Sequence, residues 1–547
     1  MKMANDLAFL PLGGTGEIGM NLNLYRSGGR WLAVDCGIGF GGAAHPEVDV
    51  MLPDPSFIVE RRKDLVGLVI THAHEDHVGA VAALWPQLGC PVYTTPFTGA
   101  VLRRKLDEAG LLDEVPLHVL PPGASFDLEP FALRFVQMAH SIPEAQALLV
   151  RSGAGAVLHT GDWKLDPDPL VGPRTDEEAL AEIGREGVLA LICDSTNATV
   201  EGTSGSEATV RRTLTQLIHD LSGRVAVTCF ASNIARIESV ALAAKAAGRV
   251  VATVGRSLRS MEDAARTCGY LTSVPPFLGE DEAADIEDDR LLLLVTGSQG
   301  EQRSALARIA ADQHPRVELG EGDTVVFSSR VIPGNERAIG AVQDDLVRHG
   351  VHVITDTDHS LHVSGHPARG ELRRLYELVR PPVAIPVHGE WRHLAAHAEL
   401  ARAAGARPVL IDDGDLVNLA PGEIEVVDSA PVGRLVLDGN RLLPFAGGVM
   451  GTRRRMLFNG VVVASLAVDE EGTLLGMPLV SAPGLLESES PETVRVAGEL
   501  AQVVESLPDP VRGEDELLRE AVRGALRRLL GRRLQKRPVV EVHLMRI

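Results

Sequence analysis

A run of metal-binding residue types between positions 71 and 77 constrains this chain more than any other feature. The segment reads Thr-His-Ala-His-Glu-Asp-His and directly follows residues 65–70, which have the apolar pattern of a buried strand. Closely spaced imidazoles and carboxylates are costly to bury, because each needs its own hydrogen-bond partner. Imidazole and carboxylate together form the ligand set that zinc selects. The run predicts a metal site at a strand end, with a solvated polar loop as the alternative.

The spacing within this run suits two neighbouring metals. In an extended chain, His72 and His74 point to the same side. Asp76 and His77 stand where a helical pattern begins, so their side chains aim at an adjacent point. We therefore expect the run to contribute ligands to two metal positions.

Three isolated residues elsewhere are candidates for the remaining ligands. His140 follows a strand pattern at 131–138, Asp162 ends the sequence His-Thr-Gly-Asp, and His388 follows a strand pattern at 383–387. A lone histidine at a strand end is usually a surface cap or a satisfied core residue. Together with the run at 71–77, however, these residues complete a site in which two metals about 3.5–4 Å apart share one carboxylate.

A glycine-rich segment near the N-terminus resembles a dinucleotide-binding turn but lacks its context. Residues 14–19 match Gly-x-Gly-x-x-Gly after a strand pattern, and Asp35 stands about 20 residues further on. An alternating strand pattern and a Ser-Gly-Gly turn follow, so no helix N-terminus is available for a pyrophosphate. We expect a tight turn that lets the backbone pack close to a site.

The pattern of predicted elements changes twice along the chain. Short strand patterns fill residues 1–208 and return at 357–440, which predicts one domain that is interrupted and then resumes. Residues 209–356 alternate buried strands with helices, which predicts a parallel α/β module covered on both faces.

A small third domain is predicted at the C-terminal end. A linker at 441–457 precedes an α+β domain at 458–547, with strands at 461–468 and 472–480. Its closing helix spans about 514–534. The apolar face of that helix consists of Leu518, Val522, Ala525 and Leu529.

Composition excludes several classes of protein. A length of 547 residues predicts about three or four domains, and 45% hydrophobic with 23% charged residues excludes disorder for most of the chain. The five cysteines form no Cys-x-x-Cys pair, which excludes a disulfide framework and a thiolate zinc ribbon. Neither a signal-peptide core nor an apolar run of about 18–20 residues is present. We expect a soluble protein of the cytoplasm.

These motifs resemble the bacterial ribonuclease J family, which belongs to the β-CASP group of the metallo-β-lactamase superfamily. The His-x-His-x-Asp-His run, followed by His140 and Asp162, resembles the superfamily. Six further segments resemble the β-CASP group: residues 230–233, 255–257, 296–301, 332–336, 362–366 and 386–390. Their combination with residues 13–21, 140–143, 159–164 and 194–197, and with 457–463 and 536–538 in the third domain, resembles ribonuclease J. The resemblance covers nearly the whole chain. It implies an α/β fold: a metallo-β-lactamase αβ/βα sandwich interrupted by a parallel α/β β-CASP domain, plus a small C-terminal α+β domain.

The resemblance also implies an activity and its requirements. The implied protein is a metal-dependent ribonuclease that hydrolyses RNA phosphodiesters in RNA maturation and decay. It is a 5′-to-3′ exonuclease that prefers 5′-monophosphate ends, with endonuclease cleavage left open. The implied cofactors are two divalent metal ions, zinc ahead of manganese or magnesium. The implied partners are single-stranded RNA, a homodimer or larger homo-oligomer formed through the C-terminal domain, and an RNA-degradation complex, with no membrane.

Matched position by position, the resemblance implies a role for each candidate residue. The metal ligands are His72, His74 and His140 for one ion, Asp76, His77 and His388 for the other, and Asp162 between them. The catalytic residues are Asp76, His366, Glu207 and Asp194, with His366 as the proton donor or phosphate polariser oriented by Glu207, and Asp35 as a supporting residue. The substrate contacts are His362, Val363, Ser364, Gly365, His366, Ser232 and Asn233. Serine and glycine are equally ordinary loop residues, so some of these contacts have a simpler reading.

Two positions depart from the family pattern. Ala235 stands where the family often has histidine, and Gln302-Arg303 stand where it often has Pro-Met. If that histidine grips a 5′-phosphate, Ala235 changes how strongly the chain end is held. Neither departure touches a predicted metal ligand.

Two other functions would account for fewer of these motifs than a ribonuclease does. A small-molecule hydrolase with the same fold would not need the middle module or the segment 362–366. A non-catalytic RNA-binding scaffold predicts eroded metal ligands, and none is eroded in this sequence. The ribonuclease is the hypothesis that uses all the motifs.

Net charge bears on the partner in two ways. The chain carries 74 acidic against 53 basic residues, a formal charge of −21, which by itself argues against a polyanionic partner. Five of the acids are assigned to the site, where bound cations reverse the local sign. Nine Lys or Arg stand against two acids in residues 519–547. These arginines form either a solvated helix face or a surface for RNA or a second subunit.

We expect RNA binding with a shallow salt dependence, because a chain without a broadly basic surface makes few phosphate contacts. A plot of log K against log salt should have a slope of magnitude about 2, as for roughly three contacts to a single strand. This slope can be measured by fluorescence anisotropy with a labelled single-stranded RNA, at salt concentrations from about 50 mM to about 200 mM. A slope of about −5 or steeper would contradict this expectation.

Overall fold

The computed structural model describes residues 5–42 and 45–547. The chain divides into two units, one formed by residues up to 44 together with Val50–Arg434, and the other by His45–Asp49 together with Leu435–Ile547. Within the described ranges, the structure contains no helix that is both long and apolar enough to cross a membrane.

The first unit begins with strands and short helices, and an alternating α/β insert follows them. The elements before the insert are β1 (Leu7–Gly13), β2 (Thr15–Gly16), β3 (Leu22–Ser27), β4 (Arg30–Val34), β5 (Gly39–Phe40), β6 (Val50–Pro53), α1 (Ser56–Val59), β7 (Leu65–Val69), α2 (Glu75–Val78), α3 (Val81–Leu88), β8 (Val92–Thr94), α4 (Pro96–Glu108), β9 (Leu117–Val119), β10 (Ser125–Leu128), β11 (Phe131–Gln137), β12 (Gln146–Ser152), β13 (Gly155–His159), α5 (Glu177–Glu186) and β14 (Ala190–Asp194). The elements of the insert are α6 (Glu207–Asp220), β15 (Val225–Thr228), α7 (Ile234–Ala246), β16 (Val250–Val254), α8 (Arg256–Thr267), α9 (Glu280–Ala283), β17 (Leu291–Val295), α10 (Ala305–Ala310), β18 (Thr324–Phe327), α11 (Glu336–Arg348) and β19 (His352–Ile354). Single 3-10 turns lie at Arg62–Asp64 and Asp288–Arg290.

The chain then returns to the first sheets before it enters the second unit. The returning elements are α12 (Arg369–Val379), β20 (Val383–Val387), β21 (Gly389–Glu390), α13 (Trp391–Ala403), β22 (Arg407–Pro408), β23 (Asp415–Ala420) and β24 (Glu425–Ser429). The elements that follow are β25 (Arg434–Asp438), β26 (Arg441–Pro444), α14 (Gly448–Asn459), β27 (Val461–Val468), β28 (Leu479–Ser481), α15 (Pro491–Glu505), α16 (Asp509–Arg512), α17 (Asp515–Leu534) and β29 (Val539–Arg546).

Two sheets pack face to face in the first unit. One has the strand order β24-β23-β1-β3-β4-β7-β8-β9 and the other the order β10-β11-β12-β13-β14-β20-β22. Apolar side chains from both sheets share one core, including Phe9 and Leu32 from the first and Phe135 and Leu148 from the second. Strand β20 pairs in parallel with β14, so the chain resumes this sandwich after the insert, as predicted.

The insert is a five-stranded parallel sheet with the order β16-β17-β15-β18-β19. Every residue of β17 is buried, because helices cover both faces of the sheet. The prediction of a parallel α/β module interrupting a sandwich is therefore confirmed. The exact domain limits at 208, 356, 440 and 457 stay a prediction.

The second unit carries a three-stranded sheet in the order β28-β27-β29, and β27 runs parallel to β29 over its full length. The predicted strand at 472–480 is wrong in extent: Leu479–Ser481 is a strand paired with β27, and Leu474 forms only an isolated bridge with Val468, because Gly476 and Pro478 interrupt the pattern. The predicted linker at 441–457 contains β26 and most of α14, so this stretch is regular structure.

The closing helix α17 has the predicted position but a slightly different buried face. Leu518, Val522 and Ala525 are buried as predicted, whereas Leu529 is only half-buried. Leu526 and Leu530 complete the buried stripe instead. The buried residues follow the helical period of 3.6 residues, and the last of them is Leu530, one position after the predicted Leu529.

The Leu293→Ala variant should lose about 2–5 kcal/mol of unfolding free energy, because Leu293 lies fully buried in the central part of the insert sheet. Urea unfolding followed by circular dichroism measures the change. The matched control is Val347→Ala on α11, whose side chain is 59% exposed and should change stability by less than about 0.5 kcal/mol. Equal unfolding midpoints for the two variants would contradict the assigned core.

Candidate metal centre

The predicted metal ligands meet at one edge of the sandwich, because each follows the end of a strand. His72 and His74 follow β7, and Asp76 and His77 lie in the short helix α2 that comes next. The remaining side chains come from the segments that follow four other strands: His140 after β11, Asp162 after β13, Asp194 at the end of β14 and His388 after β20. The parallel pairing of β13, β14 and β20 brings three of these strand ends side by side.

One group of ligand atoms surrounds the position nearest His74. The Nδ1 atom of His74 lies 3.2 Å from Nε2 of His72 and 3.0 Å from Nε2 of His140. The Oδ2 atom of Asp162 lies 3.7 Å from Nε2 of His72 and 3.8 Å from Nε2 of His140. The four candidate ligand atoms all lie within 4.8 Å of one another, as they would around one cation.

A second group lies on the other side of Asp162. The Oδ2 atom of Asp76 is 3.6 Å from Nε2 of His77 and 3.5 Å from Nε2 of His388. Asp162 approaches both histidines, with Oδ2 at 3.2 Å from Nε2 of His77 and Oδ1 at 3.3 Å from Nε2 of His388. Asp162 therefore belongs to both groups, which is the arrangement of a carboxylate shared by two metals.

Unpartnered buried atoms test whether these residues fit a metal. Among the described residues, both carboxylate oxygens of Asp162 and Nε2 of His388 are buried without a hydrogen-bond partner. A buried carboxylate without a partner is strongly unfavourable. Divalent cations coordinated by imidazole nitrogen and carboxylate oxygen remove that cost. The donor set and its unsatisfied atoms therefore fit metal binding.

Burial prepares three histidines of the first group to donate a lone pair. It lowers the pKa of His72 and of His140 well below the usual value and lowers the pKa of His74 to about 4. These imidazoles are neutral at neutral pH, as a metal requires. Burial also lowers the pKa of His77, but the carboxylates of Asp162, Asp76 and Asp35 outweigh it and leave that pKa well above the usual value.

Hydrogen bonds behind the ligands fix which ring nitrogen faces the site. The Nδ1 atom of His77 donates to Oδ2 of Asp35 at 2.7 Å, and Nδ1 of His140 donates to the backbone oxygen of Gly365 at 2.6 Å. Asp35 also accepts from the backbone N–H of Thr71 at 2.8 Å. These contacts leave Nε2 of both histidines turned inward, and Asp35 holds the ring of His77 in that orientation.

The glycine-rich turn at 14–19 packs against the site instead of binding a nucleotide. Strand β3 follows it and no helix does, which confirms the expected turn. The backbone oxygen of Gly14 accepts from the N–H of His388 at 2.7 Å, and β2 pairs with β21. Gly37 in a neighbouring loop is equally close to the site, since a Cβ there would lie 1.7 Å from the backbone oxygen of Asp76.

The imidazole of His366 and the carboxylate of Asp194 form a hydrogen-bonded pair beside Asp162. The Nδ1 atom of His366 lies 2.8 Å from Oδ2 of Asp194 and 3.7 Å from Oδ2 of Asp162. Burial lowers the pKa of His366, but the Asp194 and Asp162 carboxylates outweigh it and bring that pKa to about 9. These two carboxylates favour the protonated form of His366.

Glu207 pairs with residues of the insert, and the role in orienting His366 that the resemblance implies stays a prediction. Its carboxylate accepts from Arg236 through Nη2 at 2.9 Å and through Nε at 3.1 Å, and from Nδ2 of Asn233 at 3.1 Å. Among the described residues, Asp194 is the carboxylate that is hydrogen-bonded to His366, and Asp162 lies further away at 3.7 Å. Residue spacing alone did not indicate which of the two carboxylates, Glu207 or Asp194, would be hydrogen-bonded to His366.

The segment 362–366 lines the same edge. Ser364 accepts from Nδ2 of Asn197 at 2.7 Å, and the backbone of Gly365 touches His140 so closely that a Cβ would lie 2.8 Å from its ring. His362 is half-buried, and its Nδ1 atom has no hydrogen-bond partner among the described residues. Burial, with the charge of Arg236, lowers the pKa of His362 to about 3. Val363 is half-buried beside Gly205.

The two predicted substrate contacts at 232–233 differ in burial and in whether the side chain is already hydrogen-bonded within the protein. Ser232 is half-buried. Asn233 is 4% exposed, and its side chain accepts from the N–H of Arg236 as the N-cap of α7 and donates to Glu207. Asn233 is therefore already engaged within the protein. Ala235 is the second residue of the same helix and is buried.

Several residues at the site carried no predicted role. Thr196 donates to Oδ1 of Asp194 through its backbone and its hydroxyl, at 2.8 and 2.7 Å. Asn21 donates to the backbone oxygen of Asp76 at 3.0 Å. Both stand in motifs that the sequence singled out, but polar neighbours of a site have no spacing signature of their own.

Models of four protein families match the chain in order. They are "Beta-lactamase superfamily domain" at residues 30–188, "Ribonuclease J, beta-CASP domain" at 222–346, "Zn-dependent metallo-hydrolase RNA specificity domain" at 350–411 and "Ribonuclease J C-terminal domain" at 448–547. A solved structure of a protein of unknown function from Enterococcus faecalis V583 shares the fold over 76% of this chain and 100% of its own, with a TM-score of 0.55 and 17% identity.

Curated relatives match over the whole chain. A ribonuclease J from Sinorhizobium meliloti is 46% identical over 100% of this chain and 98% of its own length. One from Mycolicibacterium smegmatis is 38% identical over 98% of this chain and 96% of its own. Together with the sandwich, the insert and the convergent metal ligands, these matches show that the chain belongs to the ribonuclease J family and is a ribonuclease of the metallo-β-lactamase fold.

Proposed function

We propose that this ribonuclease is a two-metal 5′-to-3′ exonuclease that prefers RNA with a 5′-monophosphate. The observation that carries the proposal is the pair of ligand groups that share Asp162 in a family of ribonucleases. The proposed ligands are His72, His74 and His140 for one ion and Asp76, His77 and His388 for the other. Zinc is the proposed ion, since imidazole with carboxylate is its usual ligand set.

The proposed mechanism divides the work between the ions and the protein side chains. When bound, two such ions supply a hydroxide nucleophile at neutral pH and neutralise charge on the phosphate. His366, held protonated by Asp194, donates its proton to the departing 3′ oxygen. Attack at phosphorus breaks the bond to the 3′ oxygen, so the products carry a 5′-phosphate and a 3′-hydroxyl.

Recognition of the 5′ end is proposed for donors near the segment 362–366. The Ser364 hydroxyl, the Gly365 backbone and the Ser232 hydroxyl are polar groups on half-buried or site-lining loops, and a monophosphate accepts several hydrogen bonds. Asn233 contributes through the start of α7, since its side chain is engaged with Glu207. Ala235 leaves one fewer donor than a histidine there would supply.

We also propose a cellular setting and a homo-oligomer. All five cysteines are unpaired in the structure, which favours the reducing cytoplasm. In the second unit Leu475, Met477 and Leu479 are 57%, 65% and 72% exposed, and an exposed apolar group of this kind favours association through the C-terminal domain. Single-stranded RNA is the proposed substrate, and an RNA-degradation complex is the proposed larger assembly.

Asp162→Asn should lower the metal content from about two ions per chain to less than one, because the amide removes the charge shared by both ligand groups. Plasma mass spectrometry of the protein purified without chelator measures it. The matched control is Asp127→Asn on β10, which is exposed and lies outside the ligand groups. Unchanged metal content in Asp162→Asn would contradict the proposed ligand set.

The direction and end preference can be read from three RNA substrates of one sequence: 5′-monophosphorylated, 5′-triphosphorylated and circular. The wild-type protein should release mononucleotides from the first at a rate at least about tenfold above the second, and leave the circle intact. Removal of two ligands in Asp76→Ala/His77→Ala should abolish release, by at least about a thousandfold.

The control for this assay is again Asp127→Asn, which should behave as the wild type. Cleavage of the circular RNA would establish an endonuclease component. Equal rates on the two linear RNAs would refute the end preference, and activity that survives in the double variant would refute the metal assignment.

A further inference from the structure

A buried hydrogen-bond chain outside the metal ligands links two helices to the end of β14. His397 on α13 is 0% exposed and uses both ring nitrogens. Its Nδ1 atom lies 2.9 Å from Oγ of Ser195, and its Nε2 atom lies 3.0 Å from the hydroxyl of Tyr376 on α12. Every member of this chain is therefore satisfied within the protein interior.

The donors and acceptors of the chain follow from the single proton of Ser195. The Ser195 hydroxyl donates to the backbone oxygen of Cys193 at 3.3 Å, so it can only accept from His397. The Nδ1 atom of His397 consequently carries the hydrogen, and Nε2 accepts from the hydroxyl of Tyr376. Burial lowers the pKa of His397 to about 4, which keeps the ring neutral in this state.

Ser195 stands between two parts of the site. Its preceding residue, Asp194, contacts His366 at 2.8 Å. The backbone oxygen of His388 accepts from the N–H of Ser195 at 3.4 Å and from the hydroxyl of Thr196 at 3.1 Å. A displacement of Ser195 would therefore move the carboxylate that holds His366 and the backbone of a proposed metal ligand at the same time.

We propose that His397 is a positioning residue for the ribonuclease reaction, acting through its hydrogen bond to Ser195 on Asp194 and His388. The proposal rests on the proposed roles of His366 and His388. It assigns no contact between His397 and RNA, since the ring is enclosed by α12, α13 and the turn after β14. Hydrogen bonds of this outer kind typically change activity or metal affinity by about 10–100-fold.

Two amides of similar polarity separate this role from a general role in folding. The side-chain nitrogen of Asn occupies the place of Nδ1, so His397→Asn keeps a donor for Ser195 and loses the acceptor for Tyr376. The longer Gln places its amide near Nε2, so His397→Gln keeps a partner for Tyr376 and loses the donor for Ser195. Each variant gives up one of the two hydrogen bonds, and thermal unfolding of the full chain compares their stability.

Total cleavage of a single-stranded RNA, whichever end is attacked, is the readout. We expect kcat to fall by about tenfold in His397→Gln with little change in KM, and by less than about twofold in His397→Asn, at similar melting temperatures. Tyr376→Phe should resemble His397→Asn. Ser195→Ala should resemble His397→Gln, and the double variant Ser195→Ala/His397→Gln should lose no more than either single variant.

Three results would overturn the proposal: equal kcat in the Asn and Gln variants, a loss in KM alone, or additive losses in the double variant. The comparison is independent of the proposed direction of attack. If the wild type cleaves RNA without a preference for 5′-monophosphate ends, the proposed function fails. The ratio of kcat in His397→Asn to kcat in His397→Gln still tests the role of His397 in that case.

Discussion

The buried carboxylate of Asp162 is the constraint on which the site depends. It is 2% exposed, and the ring nitrogens of His72, His77, His140, His366 and His388 lie between 3.2 and 3.8 Å from its oxygens. An anion at this depth is tolerable only with cations beside it, since desolvation of a lone carboxylate far exceeds the stability of a domain. Strand ends from both parts of the interrupted sandwich must therefore converge on this one group. The insert lies between β14 and β20 in the chain, and these two adjacent parallel strands deliver Asp194 and His388 side by side.

Backbone strain accompanies this convergence. Asp35 and His388 adopt positive φ angles of 63° and 51°, which cost non-glycine residues about 1–3 kcal/mol each. The conformation of Asp35 is held by the N–H of Thr71 and by His77, and that of His388 by the backbone oxygen of Gly14. The glycines at 14 and 37 allow this, since each passes within contact distance of another backbone or side chain of the site. The glycine-rich turn thus lets the backbone pack close to the site, as its sequence context predicted.

The sequence predicted the fold well, and the structure brings the proposed ligands together, because local patterns carry both the strands and the polar residues at their ends. Buried runs identified the parallel sheet of the insert, and polar residues at strand ends identified each proposed ligand. Features that depend on tertiary packing were missed. Leu530 replaced Leu529 in the buried face of α17, and residues 441–457 formed a strand and a helix despite their glycines and arginines. Contacts between distant side chains, such as His397 with Ser195, have no signature in spacing at all.

The contacts of Glu207 tie the insert to the segments around the site. Arg236 donates to Glu207 and, through Nη1, to the backbone oxygens of Ser328 at 2.6 Å and Leu361 at 2.8 Å. The N–H of Glu207 in turn donates to Asp166, which forms a buried ion pair with Lys164 in the segment after Asp162. The buried guanidinium of Arg236 therefore joins the end of β18 to the start of segment 362–366. The carboxylate of Asp166 joins Glu207 to the segment that follows β13 and carries Asp162. Buried ion pairs add little net stability but are strongly destabilising to break. Their value here is geometric: they fix the distance between the loop proposed to hold the 5′-phosphate and the proposed metals. In the proposed exonuclease, that distance would match the number of nucleotides between the held 5′ end and the bond that is cleaved, so the network around Glu207 bears on the size of the product.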